Sequence, residues 1–282
     1  MHVLVTGASS GVGLATAGEF ISQGADVTMV SRDPRRAETA LRKLEALGPG
    51  RATSQLADLG SFDSVRGLAE RVLGQVPRLD VIVNNAGILR PLKGVSEDGV
   101  ELTMAVNYLG HYLLTRLLTP LWEGHPAVVV NVSSDGHRAG DLRRKPLEDV
   151  LRGVGGYRGL KAYGDSKLAN ILFTAELRRR YGNGGLKAAA VHPGVLATRI
   201  WNRNWDPLSL FMRGVKPVLG RPKTGAKAVM NIVDLAFEAR ELALYFDKKK
   251  PGTPAAQSTD EGLAKELWDL SEQVTRMAGE VG

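Results

Sequence analysis

Two short motifs carry residue types whose spacing suits redox chemistry on a bound nucleotide. Tyr163 precedes Lys167 by four residues in the run Tyr-Gly-Asp-Ser-Lys. Residues four apart share one face of a helix, so this phenol and this ammonium are expected to point into one cleft. A neighbouring cation favours the phenolate, which turns a weak acid with a pKa of about 10 into a usable acid–base at neutral pH.

The second motif is a glycine turn that follows the apolar run 3–5 and ends at Gly13. Glycines between a strand and a helix let backbone N–H groups approach a pyrophosphate, because no Cβ stands in the way. Two serines in the turn add hydroxyl donors, although capping of the following helix is their structural alternative. The residues expected to bind a dinucleotide here are Gly7, Ser9, Ser10, Gly11, Val12 and Gly13.

Length and composition are typical of a globular protein with one large domain or two small ones. The chain has 282 residues, of which 43% are hydrophobic and 24% charged, so it can bury a full core. It has no cysteine, which excludes disulfides, thiolate metal sites and a cysteine nucleophile. The sequence also shows no His, Asp or Glu cluster with metal-ligand spacing, so no metal is expected.

Charge and hydropathy argue against nucleic acid and membrane partners. The net charge is +7, but the basic residues are scattered rather than gathered with aromatics on one face. Three short basic clusters at 143–145, 178–180 and 248–250 are expected to be solvated. No stretch reaches the roughly 18 apolar residues of a membrane-spanning helix, and residues 2–6 are predicted to be a core strand rather than a leader. A cytoplasmic location is therefore expected.

Strand-like and helix-like segments alternate along the chain, which is the pattern of a parallel sheet covered on both faces. We predict an α/β fold with a doubly wound parallel sheet in a single domain over residues 1–282. Strands are predicted at 3–5, 25–31, 52–56, 79–83, 127–132, 186–191 and 242–246. Helices are predicted at 12–23, 34–47, 61–76, 100–121, 224–236 and 261–277, with another that carries Tyr163 and Lys167. Residues 135–160 are predicted to be an irregular insertion.

A long segment after the sixth strand combines aromatic residues with turn residues. Residues 195–222 hold Trp201, Trp205, Phe211 and Met212 among prolines and glycines. Exposed aromatics in a long loop are typical of a lid or a binding edge. We predict a mobile substrate lid, and packing of these rings in a core or an oligomer interface is the alternative.

Further motifs occur in order along the chain. They are Asp58-Leu59, Asn84-Asn85-Ala86-Gly87, Asn107, Ser133-Ser134 and Pro193-Gly194 with Thr198. Together with the glycine turn and the Tyr163/Lys167 pair, they make the chain resemble the short-chain dehydrogenase/reductase superfamily over essentially its whole length. The resemblance implies a Rossmann-type fold. The runs at 106–111, 134–137 and 163–170 are similar to the retinol-dehydrogenase-like branch.

The resemblance implies a catalytic tetrad of Asn107, Ser134, Tyr163 and Lys167. In the family the tyrosine gives the proton, and the lysine lowers the tyrosine pKa and holds the nicotinamide ribose hydroxyls. The serine hydrogen-bonds the substrate oxygen. Asn107 resembles the residue that holds a water between the lysine and solvent, and a buried hydrogen bond between helices is its structural alternative.

Other polar side chains near these motifs are not assigned catalytic roles. Ser133 is the neighbour of Ser134 but does not match the family position. Tyr157 has no lysine four residues further on and lies among glycines. His137 and His192 are expected to be structural, since one lies in the insertion and the other beside the cofactor turn.

The coenzyme is expected to be NADP(H) rather than NAD(H). A carboxylate at the end of the second strand binds a ribose 2′-hydroxyl, whereas a cation suits a 2′-phosphate. Ser31-Arg32 occupies this place, although Asp33 is an alternative partner for the arginine. By resemblance, Asp58 contacts the adenine and Leu59 packs on it, with helix capping as the alternative for Asp58. The resemblance also places Asn85, Ala86, Gly87, Pro193, Gly194, Val195 and Thr198 beside the cofactor, with a structural turn as the alternative for 85–87.

These motifs predict an NADP(H)-dependent oxidoreductase that interconverts a small-molecule ketone or aldehyde and an alcohol. The expected activity is that of a ketoreductase on a fairly large apolar substrate. Two alternatives stay open: an NADP(H)-binding regulator without turnover, and a C=C reductase on the same fold. The presence of all four tetrad positions favours the enzyme. Family members usually form dimers or tetramers, so a homodimer or homotetramer is expected.

Overall fold

The computed structural model describes residues 1–194, 222–238 and 241–276. The strands of this part of the chain are β1 (His2–Thr6), β2 (Asp26–Ser31), β3 (Arg51–Leu56), β4 (Val81–Asn84), β5 (Ala127–Val132), β6 (Leu186–His192), β7 (Tyr245–Asp247) and β8 (Lys250–Pro251). The helices are α1 (Gly11–Ser22), α2 (Pro34–Glu45), α3 (Phe62–Gln75), α4 (Leu102–Met104), α5 (Gly110–Leu117), α6 (Leu147–Leu151), α7 (Gly159–Tyr181), α8 (Pro222–Glu238) and α9 (Glu261–Val274).

The strands form one sheet in the order β3-β2-β1-β4-β5-β6-β7-β8. Neighbours from β3 to β7 pair in parallel, whereas β8 runs antiparallel to β7. The order reverses between β1 and β4, as in a doubly wound sheet. The predicted Rossmann-type α/β class is therefore confirmed. The sequence gives no sign of β8, because two residues are too few to show an alternation.

Two apolar layers bury the two faces of the sheet. All six residues of β5 are buried, as expected for a central parallel strand covered on both sides. One layer is built from α3, α5, α7 and α9, and the other from α1, α2 and α8. Burial of an aliphatic side chain is worth about 1.5 to 3 kcal/mol, so packing on the sheet holds these helices in place. Within the described ranges, no helix is both long and apolar enough to cross a membrane.

Several helix ends follow capping signals in the sequence. The Asp33 carboxylate accepts a hydrogen bond of 3.1 Å from a backbone N–H in the first turn of α2. The Ser61 hydroxyl caps α3 in the same way, so the capping role offered as an alternative for Asp58 belongs to Ser61. After α1, Gly24 adopts φ +83°, the left-handed conformation that glycine commonly takes just past a helix end.

The helix predicted at 100–121 is interrupted. A π-helical turn at Ala105–Leu109 separates α4 from α5. The turn carries Asn107, whose side chain hydrogen-bonds both the N–H and the carbonyl of Ile88. We attribute the local departure from α-helical geometry to these two hydrogen bonds between Asn107 and Ile88. Turns of this π-helical kind are frequent at functional sites.

The predicted insertion at 135–160 contains short pieces of helix. A 3₁₀ turn at Asp135–Ala139 follows β5, and α6 lies further along. The predicted lid lies outside the described residues, except for Pro222 at the start of α8. The predicted cofactor and lid residues that fall outside are Val195, Thr198, Trp201, Trp205, Phe211 and Met212.

Candidate active site

A cleft of about 950 Å³ opens at the carboxyl ends of the central strands. It lies where the strand order reverses, which is where open α/β sheets bind ligands. The glycine turn after β1, the segment after β4, the serines after β5 and one face of α7 line it. The predicted site residues that line the cleft are Gly7, Ser9, Ser10, Gly11, Val12, Ser31, Arg32, Asp58, Leu59, Asn85, Ala86, Gly87, Ser134, Tyr163, Lys167, Pro193 and Gly194.

The glycine turn has the shape that a pyrophosphate needs. Gly7 adopts φ +64° and Gly11 φ +60°, and a Cβ on Gly7 would come within 2.8 Å of the Ala86 Cα. The Ser10 side chain makes no capping hydrogen bond to α1. The first amides of α1 therefore remain available to an anion in the cleft, and the capping alternative for Ser10 is not realised.

Gly13 is not among the residues that line the cleft, and its part in cofactor binding remains a prediction. A Cβ on Gly13 would lie 2.4 Å from the Asn85 amide nitrogen and 2.6 Å from the Gly7 carbonyl oxygen. The absence of a side chain here lets α1 pack tightly against the turn and the segment after β4. Gly13 therefore shapes the binding turn from behind.

Two arginines lie at the adenosine end of the cleft. Arg32 pairs with Asp58 at 3.3 Å rather than with Asp33, the alternative left open by the sequence. Asp33 instead caps α2 and pairs with Arg36 at 3.3 Å. Both pairs are about half exposed, so they contribute little to stability and leave both guanidinium groups available to a phosphate. Arg36 also lines the cleft but is not among the predicted cofactor residues, although its position about one turn after Asp33 is visible in the sequence.

Tyr163 lies on α7 and lines the cleft beside Ser134. Burial raises the pKa of the Tyr163 phenol, and the side-chain hydrogen bond with Ser134 lowers it by less. The lowering of the tyrosine pKa by Lys167 remains a prediction. The Lys167 ammonium lies over the ring face, 5.7 Å from its centroid. Near neutral pH the phenol is protonated and is a proton donor.

Lys167 is a buried cation with a backbone partner. Its side chain is 3% exposed, and the ammonium donates a 2.8 Å hydrogen bond to the Val132 carbonyl. Burial lowers the pKa of Lys167 from 10.5 to about 8. A Cβ on Gly87 would lie 3.6 Å from this ammonium, so the lysine also reaches the segment after β4.

The two serines after β5 have different partners. Ser133 is buried and donates to the Lys167 carbonyl at 2.7 Å, which is a structural bond. Ser134 accepts a 3.1 Å bond from the Gly136 N–H, and its hydroxyl also hydrogen-bonds the Tyr163 side chain within the cleft. His137 holds this loop, because its Nδ1 lies 2.6 Å from the Ser134 carbonyl oxygen.

Asn107 does not line the cleft. Its side chain accepts from the Ile88 N–H at 2.7 Å and donates to the Ile88 carbonyl at 2.9 Å and to Ser166 at 3.0 Å. These bonds use its amide as a buried link between neighbouring segments, which is the structural alternative stated for this residue. The catalytic role expected of Asn107 remains a prediction.

The rejected candidates also have defined places. The Tyr157 hydroxyl donates to the Arg90 carbonyl at 3.0 Å, and burial raises the pKa of Tyr157 to about 12. Tyr157 does not line the cleft, which agrees with its exclusion. His192 does line the cleft, and its buried Nδ1 has no hydrogen-bond partner among the residues that the structure describes. Burial lowers the pKa of His192, so the ring is neutral at pH 7.

This fold with this cleft is typical of nucleotide-dependent oxidoreductases. Comparison with known proteins gives the family. Residues 1–143 match the short chain dehydrogenase family. The chain is 36% identical to retinol dehydrogenase 14 of Homo sapiens in an alignment 293 residues long. The alignment covers 96% of this chain and 84% of that protein. It is 36% identical to retinol dehydrogenase 12 of Mus musculus over 272 residues, covering 95% and 84% of the two chains.

Solved structures agree with this assignment. A protein of Mycobacterium paratuberculosis superposes with a TM-score of 0.75 at 33% identity, covering 98% of this chain and 93% of that one. A short chain dehydrogenase of Burkholderia cenocepacia, solved with NADP, gives a TM-score of 0.68 at 26% identity, covering 87% and 96%. The chain belongs to the short-chain dehydrogenase/reductase superfamily of oxidoreductases, in its retinol-dehydrogenase-like branch. This family uses a nicotinamide cofactor.

Proposed function

We propose that the protein is an NADP(H)-dependent oxidoreductase that interconverts a ketone or aldehyde and the corresponding alcohol. The observation that carries the proposal is the meeting of Ser134, Tyr163 and Lys167 in the cleft that also holds the glycine turn. The uncapped amides of α1 and the close approach at Gly7 fit a dinucleotide pyrophosphate. The names of its retinol dehydrogenase relatives support the same reaction class.

Each of these side chains has a task for which its environment suits it. A nicotinamide dinucleotide, when bound, would supply the hydride for reduction or accept it for oxidation. Ser134 donates its hydroxyl proton in a hydrogen bond to the substrate oxygen and polarises the carbonyl. Tyr163, protonated near neutral pH, then gives that oxygen its proton. Lys167 holds positive charge beside the phenol and would bind the ribose hydroxyls of the cofactor.

The substrate class is proposed from the lining of the same cleft. Apolar side chains line the cleft beyond Tyr163 and suit a fairly large apolar substrate. These residues are Ile88, Leu89, Leu102, Val106 and Leu160.

A coupled assay tests the proposal. The purified protein is mixed with NADPH and a panel of ketones and aldehydes, and the absorbance of the reduced nicotinamide is followed while products are identified by mass spectrometry. We expect at least one bulky apolar ketone or aldehyde to accelerate NADPH oxidation and to yield its alcohol. Binding of NADPH without turnover across the panel would instead indicate a regulator. Saturation of an enone with its carbonyl intact would indicate a C=C reductase.

Coenzyme choice provides a second test, based on the two arginines at the adenosine end. A charge-assisted bond to a 2′-phosphate is worth about 1.5 to 3 kcal/mol, so NADPH should bind roughly ten- to more than a hundredfold more tightly than NADH. Arg32→Asp should reverse this order, because a carboxylate repels the phosphate and accepts from a ribose hydroxyl. Fluorescence titration gives both dissociation constants.

The matched control for this coenzyme test is Arg42→Asp. Arg42 lies on the exposed face of α2 and pairs with Glu38 at 3.2 Å, so it has the same charge but does not line the cleft. It should leave the ratio of the two dissociation constants unchanged. Equal affinities of the wild-type protein for NADPH and NADH would contradict the assignment.

The cytoplasmic location and the homodimer or homotetramer remain predictions.

A further inference from the structure

A buried chain of hydrogen bonds joins the end of β1 to the π-helical turn through His111. The His111 Nε2 lies 2.8 Å from the Thr6 hydroxyl, and its Nδ1 lies 3.1 Å from the Asn107 carbonyl oxygen. All three residues are at most 1% exposed. His111 does not line the cleft, so none of the roles described above uses it.

The hydroxyl of Thr6 determines which group donates and which accepts in each hydrogen bond from Thr6 through His111 to Asn107. It accepts from two backbone amides, Asn85 N–H at 2.9 Å and Ala86 N–H at 3.0 Å, which occupy both of its lone pairs. Its single proton must then be donated, and the His111 Nε2 at 2.8 Å is nearer than the Val83 carbonyl at 3.4 Å. The imidazole is thereby assigned a proton on Nδ1, which it donates to Asn107.

Burial keeps this imidazole neutral over the working pH range. The pKa of His111 is lowered to about 4, chiefly by burial and further by the positive charge of Lys167. A proton on Nε2 would face the Thr6 O–H donor and break the chain. The arrangement is therefore a fixed element of the neutral protein rather than a titrating group.

The chain holds residues 85–88, here called the 85–88 segment, at both of its ends. Thr6 binds the first two amides of this segment, and Asn107 binds the N–H and the carbonyl of Ile88 at the other end. His111 contacts both of these clamping residues. Between the clamps, Gly87 lines the cleft and faces the Lys167 ammonium.

We propose that His111 is a positioning residue that couples the Thr6 and Asn107 clamps and so sets the 85–88 segment against the nicotinamide side of the cofactor. The cofactor part of this inference rests on the proposed function. His111 touches neither cofactor nor substrate, so its effect passes through the segment that it holds. Loss of its two hydrogen bonds frees the segment to move relative to Lys167.

Hydrogen exchange of the cofactor-free protein tests the coupling without any turnover. His111→Leu removes both bonds at similar volume and should speed exchange of the Asn85 and Ala86 amides at least about tenfold. His111→Gln keeps an acceptor near the Nε2 position and should retain most of the protection. Thr6→Val, which is nearly isosteric, removes the acceptor of the Asn85 and Ala86 amides directly. If His111 couples the two clamps, it should also speed exchange of the Ile88 amide, which Asn107 holds, and this decides the question if His111→Leu does not fold.

The dissociation constant for NADPH is the second readout. This dissociation constant should rise at least about tenfold in His111→Leu and in Thr6→Val. The double variant should bind NADPH no more weakly than the weaker of the two single variants, because both substitutions break the same Thr6–His111 hydrogen bond. Ser271→Ala is the stability control, since its buried hydroxyl accepts from Tyr108 at 2.7 Å and lies on α9 away from the cleft.

The outcomes separate this inference from the proposed function. Unchanged exchange of the Asn85 and Ala86 amides in His111→Leu, or of the Ile88 amide in Thr6→Val, overturns the coupling. An equal change in exchange or affinity in Ser271→Ala also overturns it, because the effect is then one of general stability. A wild-type protein that fails to bind NADPH contradicts the proposed function, while the exchange result still decides whether His111 holds the segment.

Discussion

Tyr163→Phe is expected to lower carbonyl reduction at least about 1,000-fold, since a positioned proton donor is worth roughly 10² to 10⁴ in rate and the oxygen also loses part of its orientation. The variant keeps the ring over which the Lys167 ammonium lies and loses the hydroxyl that interacts with Ser134. NADPH binding should therefore stay within about threefold of wild type. Turnover is followed by NADPH absorbance and binding by fluorescence titration.

Tyr157→Phe is the matched control for this loss. Its hydroxyl bonds the Arg90 carbonyl and it does not line the cleft, so turnover should stay within about threefold of wild type. A Tyr163→Phe protein that keeps about a tenth or more of wild-type turnover would show that another group gives the proton. Since burial raises the pKa of Tyr163 above its ordinary 10.0, loss of its proton should affect the wild-type rate only above about pH 10.

The elements that the sequence predicts best are those whose signal is local. Strand β5 is predicted at its observed bounds, because five of its six residues are alanine or valine, a composition that suits a strand buried on both faces. The interruption of the helix at 100–121 has no such signal. It depends on Asn107 meeting Ile88, a residue 19 positions earlier that reaches it only in the folded chain.

The site shows the same division between local and long-range information. The Tyr163/Lys167 spacing and the glycines at 7 and 11 could be interpreted in sequence, because each places a chemical group through local geometry alone. The role of Gly13 depends on the Asn85 side chain, which approaches it from another strand end. The net effect on the Tyr163 pKa depends on burial, which the spacing of charged residues does not reveal.

Lys167→Met is expected to lower turnover at least about a hundredfold, because it removes the charge beside the phenol and a contact to the cofactor ribose. Unlike Tyr163→Phe, it should also weaken NADPH binding at least about tenfold. The same change should stabilise the cofactor-free protein near pH 7. Lys167 is a buried cation without a carboxylate partner among the described residues, and methionine fills a similar volume with no charge to desolvate.

The size of this stabilisation follows from the lysine pKa. A fall from 10.5 to about 8 corresponds to a penalty on the order of 3 kcal/mol for the charged folded state. Loss of the hydrogen bond to the Val132 carbonyl offsets about 1 kcal/mol of the gain. That carbonyl keeps the Asn170 amide as a partner at 3.3 Å, so it is not left unsatisfied. The free energy of unfolding should therefore rise by about 2 kcal/mol.

The pH dependence distinguishes a desolvation penalty from ordinary repacking. Below about pH 8 the lysine is charged in both the folded and unfolded chains, and the wild-type protein bears the full penalty. Between about 8 and 10.5 the unfolded chain binds the proton while the folded one does not, so wild-type stability rises with pH relative to the variant. The advantage of Lys167→Met in urea unfolding should thus be largest near pH 7 and fade towards pH 10.5. The exposed control Lys43→Met should show no such trend, and a pH-independent difference for Lys167→Met would refute the burial of a charged lysine at this site.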